Sequence, residues 1–309
     1  MVIKMAWFET LDKKITDYLP DLEYVKDEPM AKHISFRVGG PAKRMAFPKN
    51  AEQVVLLMNF AEEAGARPLV IGNGTNLLVP DEGLDRLVIN MAREFASVGK
   101  MGECELTATA GISLARLAMF ACEQGLTGLE FSHGIPGTLG GAVVMNAGAY
   151  GGEMKDVITS VTLLDPSRGI VALSADEMQF SYRRSILSDH PEYVVLSASF
   201  RLQKGDADTI SAKMRELMDK RKASQPLEYP SAGSTFKRPT GYYAGPLIEG
   251  CGLKGCRVGG AEVSQKHAGF VINVGDATCA DVLALIEKVQ KTVYDAHGVM
   301  LEPEVKIVR

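Results

Sequence analysis

The stretch Gly128–Gly152 reads GLEFSHGIPGTLGGAVVMNAGAYGG, and eight of its 25 residues are glycine. Glycine weakens the interior of a helix or strand, so this density is typical of backbone that bends sharply or approaches another group closely. The apolar run Ala142–Met145 argues against a flexible linker, and Pro136 fixes one backbone angle. We interpret the stretch as a rigid wall with exposed N–H groups, suited to an extended anionic cofactor such as a dinucleotide. From the spacing alone, tight turns in a sandwich or barrel core explain it equally well.

A second glycine-containing loop, Gly-Asn-Gly-Thr-Asn at 72–76, lies between two short apolar runs. Its glycines and asparagines favour positive φ angles and a nest of N–H donors, the arrangement with which loops cradle phosphates. It is not a Rossmann motif, because Leu77–Val79 predicts a strand where that motif opens a helix. It is not a P-loop either, because it lacks the Lys-Ser/Thr ending. The loop at 72–76 therefore favours the cofactor interpretation of the stretch at 128–152.

Together with the segment Asn146-Ala-Gly-Ala-Tyr150, the two loops resemble the paired FAD loops of the UDP-N-acetylenolpyruvoylglucosamine reductase (MurB) family. That family belongs to the vanillyl-alcohol-oxidase-like (PCMH-type) flavoproteins. The resemblance implies FAD as cofactor and NADPH as co-substrate. It assigns FAD binding to Gly72, Asn73, Gly74, Thr75, Asn76, Gly134, Ile135, Pro136, Gly137, Thr138, Gly140, Gly141, Ala142, Asn146, Ala147 and Gly148.

His133 directly precedes Gly134 in the glycine-rich stretch 128–152. Some PCMH-type relatives attach FAD covalently through a histidine, which generally lies in the first phosphate loop. Residues 72–76 contain no histidine. We therefore expect non-covalent FAD, with His133 as an ordinary loop residue.

The resemblance covers roughly residues 31–309 and implies an α+β fold. It predicts a PCMH-type FAD-binding domain of two α/β subdomains and a smaller α+β C-terminal domain that binds the substrate. Few residues separate Arg183 from the strand predicted at 194, which leaves no room for a long tyrosine-bearing substrate loop and indicates the type II branch. The predicted segments are an N-terminal helix and lead-in at 1–30, the FAD-binding domain at 31–204, a connector helix at 205–225 and the substrate-binding domain at 226–309.

Apolar periodicity and capping residues predict the main elements. Helices are expected at 5–19, from Asn50 to Gly65, from Ser113 to Gly125, after the capping box Ser174/Glu177, at 206–224 and through Val282–Val293. A loop rich in Asp, Glu and Pro is expected at 20–32, followed by a strand and turn at 33–42. Further strands are expected at 67–71, 87–90, 104–109, 157–164, 170–173, 194–202, 270–274 and 305–308.

Composition narrows the class of protein. The 309 residues are 46% apolar and 23% charged, as in ordinary globular proteins, and the net charge of −4 argues against nucleic-acid or membrane-surface partners. No apolar run approaches the ~20 residues of a membrane span, and no signal peptide is visible. The odd number of cysteines indicates reduced thiols in a cytoplasmic protein, and we expect a monomer or weak oligomer without a metal. The closest pair, Cys251 and Cys256, lacks zinc-site spacing.

The chemistry that the resemblance implies is reduction of an enol-ether double bond conjugated to a carboxylate. Such a reaction needs a hydride source, a cation for the developing enolate and a proton donor. The motif Tyr182-Arg183-x-Ser185 resembles the one with the family's catalytic arginine, so Arg183 is the expected cation and Arg184 a surface charge. Ser234, in Ala232-Gly-Ser-x-Phe-Lys237, resembles the proton donor. Glu304, in Leu301-Glu-Pro-Glu-Val, matches the third catalytic motif and would need a raised pKa to donate a proton.

The substrate contacts that the resemblance implies are Tyr182, Lys237, His267 and Asn273. Lys222 is a further candidate for the diphosphate of a UDP-sugar, whereas Arg238 stands where the family often has Asn. Arg37 fits a phosphate contact and a solvated strand arginine equally well.

Three functions are compatible with parts of the sequence. The first is an NADPH-dependent FAD reductase that forms UDP-N-acetylmuramate for peptidoglycan. The alternative, a PCMH-type flavin oxidase or dehydrogenase acting on another small alcohol or acid, explains the FAD loops but not the motifs at 232–237 and 301–305. A non-catalytic nucleotide-binding protein would be expected to have lost the set Arg183, Ser234 and Glu304, all of which are present.

Overall fold

The structure, a computed structural model, describes residues 6–308 and contains both helices and strands. The helices are α1 (Trp7–Tyr18), α2 (Ala51–Ala64), α3 (Leu114–Glu123), α4 (Leu139–Met145), α5 (Ala207–Ser224), α6 (Ala244–Gly250) and α7 (Cys279–His297). Met5, where the first helix is predicted to begin, lies outside the described residues.

Most of the strands are short. They are β1 (Glu23–Pro29), β2 (Pro41–Phe47), β3 (Leu69–Ile71), β4 (Leu77–Leu78), β5 (Leu84–Asn90), β6 (Val98–Lys100), β7 (Glu105–Thr109), β8 (Leu126–Thr127), β9 (Gly148–Ala149), β10 (Gly152–Glu153), β11 (Ile158–Asp165), β12 (Gly169–Ser174), β13 (Val194–Arg201), β14 (Gln203–Lys204), β15 (Arg257–Val258), β16 (Ala261–Val263), β17 (Val271–Asn273) and β18 (Lys306–Ile307).

Helix boundaries follow the capping residues. At the start of α2, Asn50 Oδ1 accepts a hydrogen bond of 2.9 Å from the Gln53 N–H. Ser113 Oγ accepts one of 3.2 Å from the Arg116 N–H at the start of α3. Gly65 ends α2 with φ +70°, a conformation that costs glycine little because it has no Cβ. The predicted helices at these positions are confirmed.

The chain forms two compact units whose segments alternate along the sequence. Of the described residues, unit 1 contains 6–25, 44–73 and 86–220, and unit 2 contains 26–43, 74–85 and 221–308. Three of the five boundaries between these segments fall inside strands, in β1, β2 and β5, and the other two fall between Asn73 and Gly74 and inside α5. These units group the chain differently from the predicted domains, whose boundaries stay a prediction.

Unit 1 contains a five-stranded antiparallel sheet in the order β12-β11-β13-β7-β6. Its β11–β12 hairpin is the predicted one. The apolar core of the unit includes Leu57 and Ala61 of α2, Leu117 of α3 and Phe200 of β13, none more than 1% exposed. Burying a leucine or phenylalanine side chain contributes about 1.5–3 kcal/mol, so this core is a stable support for the loops that precede α4.

Unit 2 contains the three-stranded sheet β15-β16-β17 and the long helix α7. The predicted apolar face of α7 is buried in full, at Val282, Leu285, Ile286, Val289 and Val293. The short strands β4 and β18 pair in parallel, with the Lys306 N–H donating to Asn76 O at 2.9 Å. This pairing brings the end of the 72–76 loop beside the C-terminal segment.

Two predictions for residues 20–42 are wrong. The expected loop at 20–32 contains β1, which lies at the edge of its sheet with all its residues at least partly exposed. Charged side chains are common on edge strands, which is why the composition indicated a loop. The segment 33–42, where a strand and turn were expected, has no strand before β2 begins at Pro41: residues 33–36 form turns and a bend, and residues 37–40 have no regular secondary structure. Ile34, Phe36 and Val38 are buried alternately as in a strand, but Arg37 between them has φ +57°.

The helix expected after Ser174 is also wrong. The capping box forms, since the Ser174 N–H donates to Glu177 Oε2 at 2.8 Å and the Glu177 N–H donates to Ser174 Oγ at 3.3 Å. Residues 175–179 nevertheless make only turns, and Gln179 has φ +50°. A cap supplies partners for the first N–H groups, but it does not provide the apolar face that stabilises a short helix.

Candidate active site

The two glycine loops meet inside unit 1. A Cβ added at Gly72 would collide with the hydroxyl of Thr138, so a side chain at position 72 would push the loops apart. Thr138 itself is buried and pairs with Ser113 in an isolated β-bridge. The sequence placed these loops far apart along the chain, and the structure joins them in one wall.

In the glycine-rich loop that contains Gly140, backbone N–H groups form hydrogen bonds to the core. The Gly140 N–H donates to Ala110 O at 2.8 Å, and the Leu139 N–H donates to Ile112 O at 2.9 Å. The absent Cβ of Gly140 would lie 3.1 Å from Ala110 Cβ. These N–H groups are therefore not among the exposed donors expected from the sequence, and Gly140 serves close packing of α4 on the core.

Gly141, the next residue, differs from Gly140. Its absent Cβ would have only Thr138 Oγ1 within 4 Å, at 3.8 Å, so this glycine leaves open space. His133 Nδ1, one residue before the loop, is buried without a hydrogen-bond partner among the described residues. Space beside a glycine and an unpartnered buried nitrogen both fit a wall that receives another molecule, as an FAD site requires.

Residues 74–76 of the 72–76 loop belong to unit 2. Gly74 has φ +59°, and its Cβ would lie 2.8 Å from Ile34 Cγ2, so only glycine fits there. The Asn76 amide donates from Nδ2 to Glu304 O at 3.2 Å. Asn76 thus binds the segment that contains Glu304, a predicted catalytic residue.

Arg183 lies in unit 1, in a tight turn closed by two backbone hydrogen bonds between Ser181 and Arg184, of 3.0 and 3.1 Å. The half-buried Arg183 has φ +56°, unusual for a residue with a side chain, and its guanidinium lies over the ring of Tyr182 at 5.1 Å. Arg184 is exposed and binds both carboxylate oxygens of Asp189 at 2.7 Å. The surface role predicted for Arg184 agrees with this ion pair.

Residues 146–148 lead from α4 into the β9–β10 hairpin. Asn146 caps the end of α4 with φ +41° and is completely buried. The Ala147 N–H donates to Ala142 O at 2.8 Å. A Cβ at Gly148 would lie 2.7 Å from Gly152 O.

Ser234 and Glu304 come together in unit 2. The Glu304 N–H donates to Thr235 O at 2.7 Å, and the Lys237 N–H donates to Glu302 O at 2.9 Å. The segments that carry the predicted proton donor and the third catalytic motif are therefore paired side by side. Ser234 is exposed and Glu304 half-buried, so both are accessible from outside the unit.

Thr235 organises this pairing, although it is absent from the predicted set. It is 1% exposed, its N–H donates to Gly269 O at 2.8 Å, and its hydroxyl accepts from the Val271 N–H at 2.9 Å. A threonine next to Ser234 gave no sequence signal for this, because its partners are about 35 residues away.

His267 has a defined tautomer. Its Nδ1 accepts a hydrogen bond of 3.1 Å from the Gly269 N–H, so the neutral ring carries its proton on Nε2. Burial lowers the pKa of His267 below its ordinary value, and Lys254 acts in the same direction while Glu249 opposes it. At neutral pH the ring is therefore uncharged, with Nε2–H as a donor.

Lys237 and Asn273, two other predicted substrate contacts, differ in how far their polar groups are already used within the protein. Lys237 Nζ is held by Glu302 Oε2 at 3.1 Å. Asn273 is buried; its Oδ1 accepts from the Gly275 and Ala277 N–H groups at 3.0 and 3.3 Å, and its Nδ2 donates to Phe36 O at 3.2 Å. These bonds give Asn273 a structural function in shaping its loop.

No definite role was predicted for three cationic residues of unit 2, Arg238, Lys222 and Arg37. Arg238 lies over the ring of Tyr243 at 4.1 Å. The backbone carbonyl of Lys222 accepts a hydrogen bond of 2.7 Å from Lys266 Nζ. Arg37 is exposed at the edge of a depression that Tyr229 and Asp276 help to line.

Two features, a metal-binding group of side chains and a membrane-spanning helix, are absent from residues 6–308. No group of three or more His, Cys, Asp or Glu side chains in this range could hold a metal ion. No helix in the same range is long and apolar enough to cross a membrane.

Comparison with known proteins matches two parts of the chain to family models. Residues 42–174 match an FAD binding domain, and residues 225–308 match the C-terminal domain of UDP-N-acetylenolpyruvoylglucosamine reductase. The fold and the glycine wall thus define an FAD-binding flavoprotein with a further C-terminal domain.

Relatives along nearly the whole chain identify the family. The UDP-N-acetylenolpyruvoylglucosamine reductase of Caldanaerobacter subterraneus subsp. tengcongensis is 49% identical, over 97% of this chain and 98% of the relative. That of Clostridioides difficile is 50% identical over 91% and 92%. The crystal structure of MurB from Thermus caldophilus superposes with a TM-score of 0.79 at 35% identity, covering 93% of this chain and 99% of that one. The chain belongs to the UDP-N-acetylenolpyruvoylglucosamine reductase (MurB) family, and the predicted α+β, PCMH-type fold is confirmed.

Proposed function

We infer that the chain catalyses the FAD-dependent reduction of UDP-N-acetylglucosamine enolpyruvate to UDP-N-acetylmuramate, with NADPH as hydride source, in peptidoglycan precursor synthesis. The observation that carries this function is the pairing of the Ser234 and Glu304 segments in unit 2, within the part of the chain that matches the reductase C-terminal domain. A PCMH-type oxidase acting on another alcohol or acid would not require this pairing.

FAD, when bound, supplies the hydride for the double bond. Arg183 then stabilises the negative charge that develops on the substrate carboxylate and α carbon, because a fixed cation interacts more strongly with the charged transition state than with the ground state. Arg184 is less suited to this role, since Asp189 already neutralises it.

Ser234 donates a proton to the α carbon in this proposal. Its exposed hydroxyl can reach a molecule outside unit 2, and the 2.7 Å bond between Thr235 O and the Glu304 N–H fixes its loop. A hydroxyl is a weak acid and needs resupply of its proton. Glu304, on the adjacent segment, is the group that we assign to that task.

The UDP-sugar is bound by Tyr182, Lys237 and His267. The neutral His267 ring offers Nε2–H to an acceptor, and Lys237 offers its remaining ammonium protons to a phosphate after one is taken by Glu302. The bonds of Asn273 favour a supporting role over direct contact.

We further propose a cytoplasmic monomer or weak oligomer without nucleic-acid or membrane partners. The mild net charge of −4 supports this, because polyanionic partners usually require a basic surface. Light scattering at several protein concentrations tests the oligomeric state; a single stable higher oligomer would contradict it.

The catalytic assignments are tested by separating the half-reactions in stopped-flow measurements of flavin absorbance. Ser234→Ala and Arg183→Ala should leave the NADPH half-reaction nearly unchanged and slow the enolpyruvyl half-reaction by about 10²–10⁴-fold, as loss of a positioned donor or cation does. Ser234→Cys should recover much of the rate, since a thiol of similar size is the better acid. Equal slowing of both half-reactions would indicate a distorted site and remove the assignment.

A further inference from the structure

We propose that Asn146 is a positioning residue that holds the Arg183 turn in place, and that it is not an FAD ligand through its side chain. This inference rests on the proposed function of Arg183. It replaces the cofactor contact that the resemblance assigned to Asn146.

Both amide protons of the Asn146 side chain form hydrogen bonds within unit 1. Its Nδ2 donates to Ser181 O at 3.1 Å and to Glu153 Oε2 at 2.5 Å, and its Oδ1 accepts from the Lys155 N–H at 2.9 Å. A carboxylate and a carbonyl can only accept, so the orientation of the amide is fixed by its partners. Since Asn146 is 0% exposed and its two N–H protons are used, it has no donor left for a cofactor.

The turn that Asn146 contacts needs external support. Arg183 adopts φ +56°, a backbone conformation that is strained for a residue with a side chain and that surrounding contacts must therefore stabilise. Asn146 binds Ser181 at the start of the turn. On the other side, the buried Ser185 donates from Oγ to Val144 O at 3.0 Å. The turn is therefore fixed at both ends to the last residues of α4.

This connection joins the cation to the cofactor wall. The α4 helix begins immediately after Thr138, whose hydroxyl lies beside Gly72 of the 72–76 loop, and Asn146 is its C-terminal cap. Two bonds from its C-terminal end define where the Arg183 backbone lies. Because a displacement of about 1 Å at a reacting group can cost about 10²-fold in rate, the amide controls catalysis without touching the substrate.

Asn146→Gly isolates the amide from the backbone. Asn146 has φ +41° and ψ 56°, which glycine adopts readily, so the substitution removes the side chain without straining the helix cap. We expect FAD affinity and the NADPH half-reaction within about twofold of wild type, and the enolpyruvyl half-reaction slowed about 10–100-fold. Asn50→Gly, which removes another capping asparagine from the same unit, is the matched control and should leave both half-reactions unchanged.

A double-mutant cycle distinguishes positioning from general damage. In an Arg183→Ala background, Asn146→Gly should cause no further slowing, because the group that it positions is gone. Multiplicative slowing in the double variant, or loss of FAD affinity in Asn146→Gly, would overturn the inference. If Arg183→Ala slows the half-reaction and Asn146→Gly does not, this inference alone fails. If Arg183→Ala has no effect, the proposed function of Arg183 fails and this inference with it.

Ser185→Ala provides a second variant should Asn146→Gly not fold. It removes the bond to Val144 O on the opposite side of the turn. The same half-reaction should slow, by about 3–10-fold for one neutral hydrogen bond, and again not in the Arg183→Ala background. An unchanged enolpyruvyl half-reaction would show that the turn needs no anchoring to α4.

Discussion

Gly140 and Gly141 are adjacent but have different neighbours. A Cβ at Gly140 would press on Ala110 at 3.1 Å, whereas one at Gly141 would enter open space. We expect Gly141→Val to yield a folded apoprotein that retains less than about a tenth of the wild-type FAD, because the branched side chain would fill the space beside the wall. Gly140→Val should instead lower the melting temperature of the apoprotein itself.

The measurements are the flavin-to-protein absorbance ratio after gel filtration and thermal unfolding of each apoprotein. A Gly141→Val protein with a full complement of FAD would show that the cofactor does not approach the wall there. The sequence treated the two glycines alike, because their difference depends on Ala110, some 30 residues away.

His267 makes stability depend on pH. Its pKa is lowered in the folded protein, chiefly by burial, from an ordinary value near 6.5. The unfolded chain therefore binds the proton more readily, and the stability that the neutral ring contributes is present above pH 6.5 and lost as the pH falls through the lowered folded value. Between pH 7.5 and 5, the urea midpoint of the wild type should fall more than that of His267→Gln, which cannot titrate. Parallel midpoints over this range would contradict the assignment of a neutral ring.

At the scale of elements, α1 is anchored within unit 1 by an ion pair between a buried arginine and a partly buried aspartate. Arg44, 5% exposed, donates to both carboxylate oxygens of Asp12 at 2.6 and 2.7 Å. The Tyr24 hydroxyl donates to the same carboxylate at 2.8 Å, and its pKa is raised by burial and by Asp12. Asp12 thus holds a helix and two strands together.

Asp12→Asn should lower the free energy of unfolding by about 3–5 kcal/mol, because the guanidinium would stay buried without its counter-charge. Asp17→Asn, an exposed change on the same helix, is the control and should change it by less than about 0.5 kcal/mol. Urea unfolding of the apoproteins gives both values. A loss below about 1 kcal/mol for Asp12→Asn would show that the pair does not anchor the helix.

The elements that the sequence predicted correctly are those with local causes. Asn50 and Ser113 cap helices through bonds to residues three positions away, and the apolar face of α7 repeats with helical spacing. β1 was not predictable, because its sheet partner and not its composition makes it a strand. The irregular backbone at 33–40 was not predicted, because its apolar residues alternate as they would in a strand.

At the scale of the molecule, the grouping of chain segments into units was beyond local patterns. Residues 26–43 and 74–85 belong to the same unit as 221–308. The bonds responsible join distant positions, such as Asn273 Nδ2 to Phe36 O and Asn76 Nδ2 to Glu304 O. Motifs at Ser234 and Glu304 could be found in the sequence by resemblance, but their side-by-side pairing required the structure.

We expect this chain to couple NADPH oxidation to reduction of an enolpyruvyl UDP-sugar. The most direct measurement is anaerobic incubation of the FAD-loaded protein with NADPH and UDP-N-acetylglucosamine enolpyruvate, with mass spectrometry of the sugar. We expect one NADPH oxidised per sugar consumed and a product heavier by two hydrogen atoms. NADPH oxidation that requires oxygen and leaves the sugar unchanged would contradict the account and indicate a flavin oxidase.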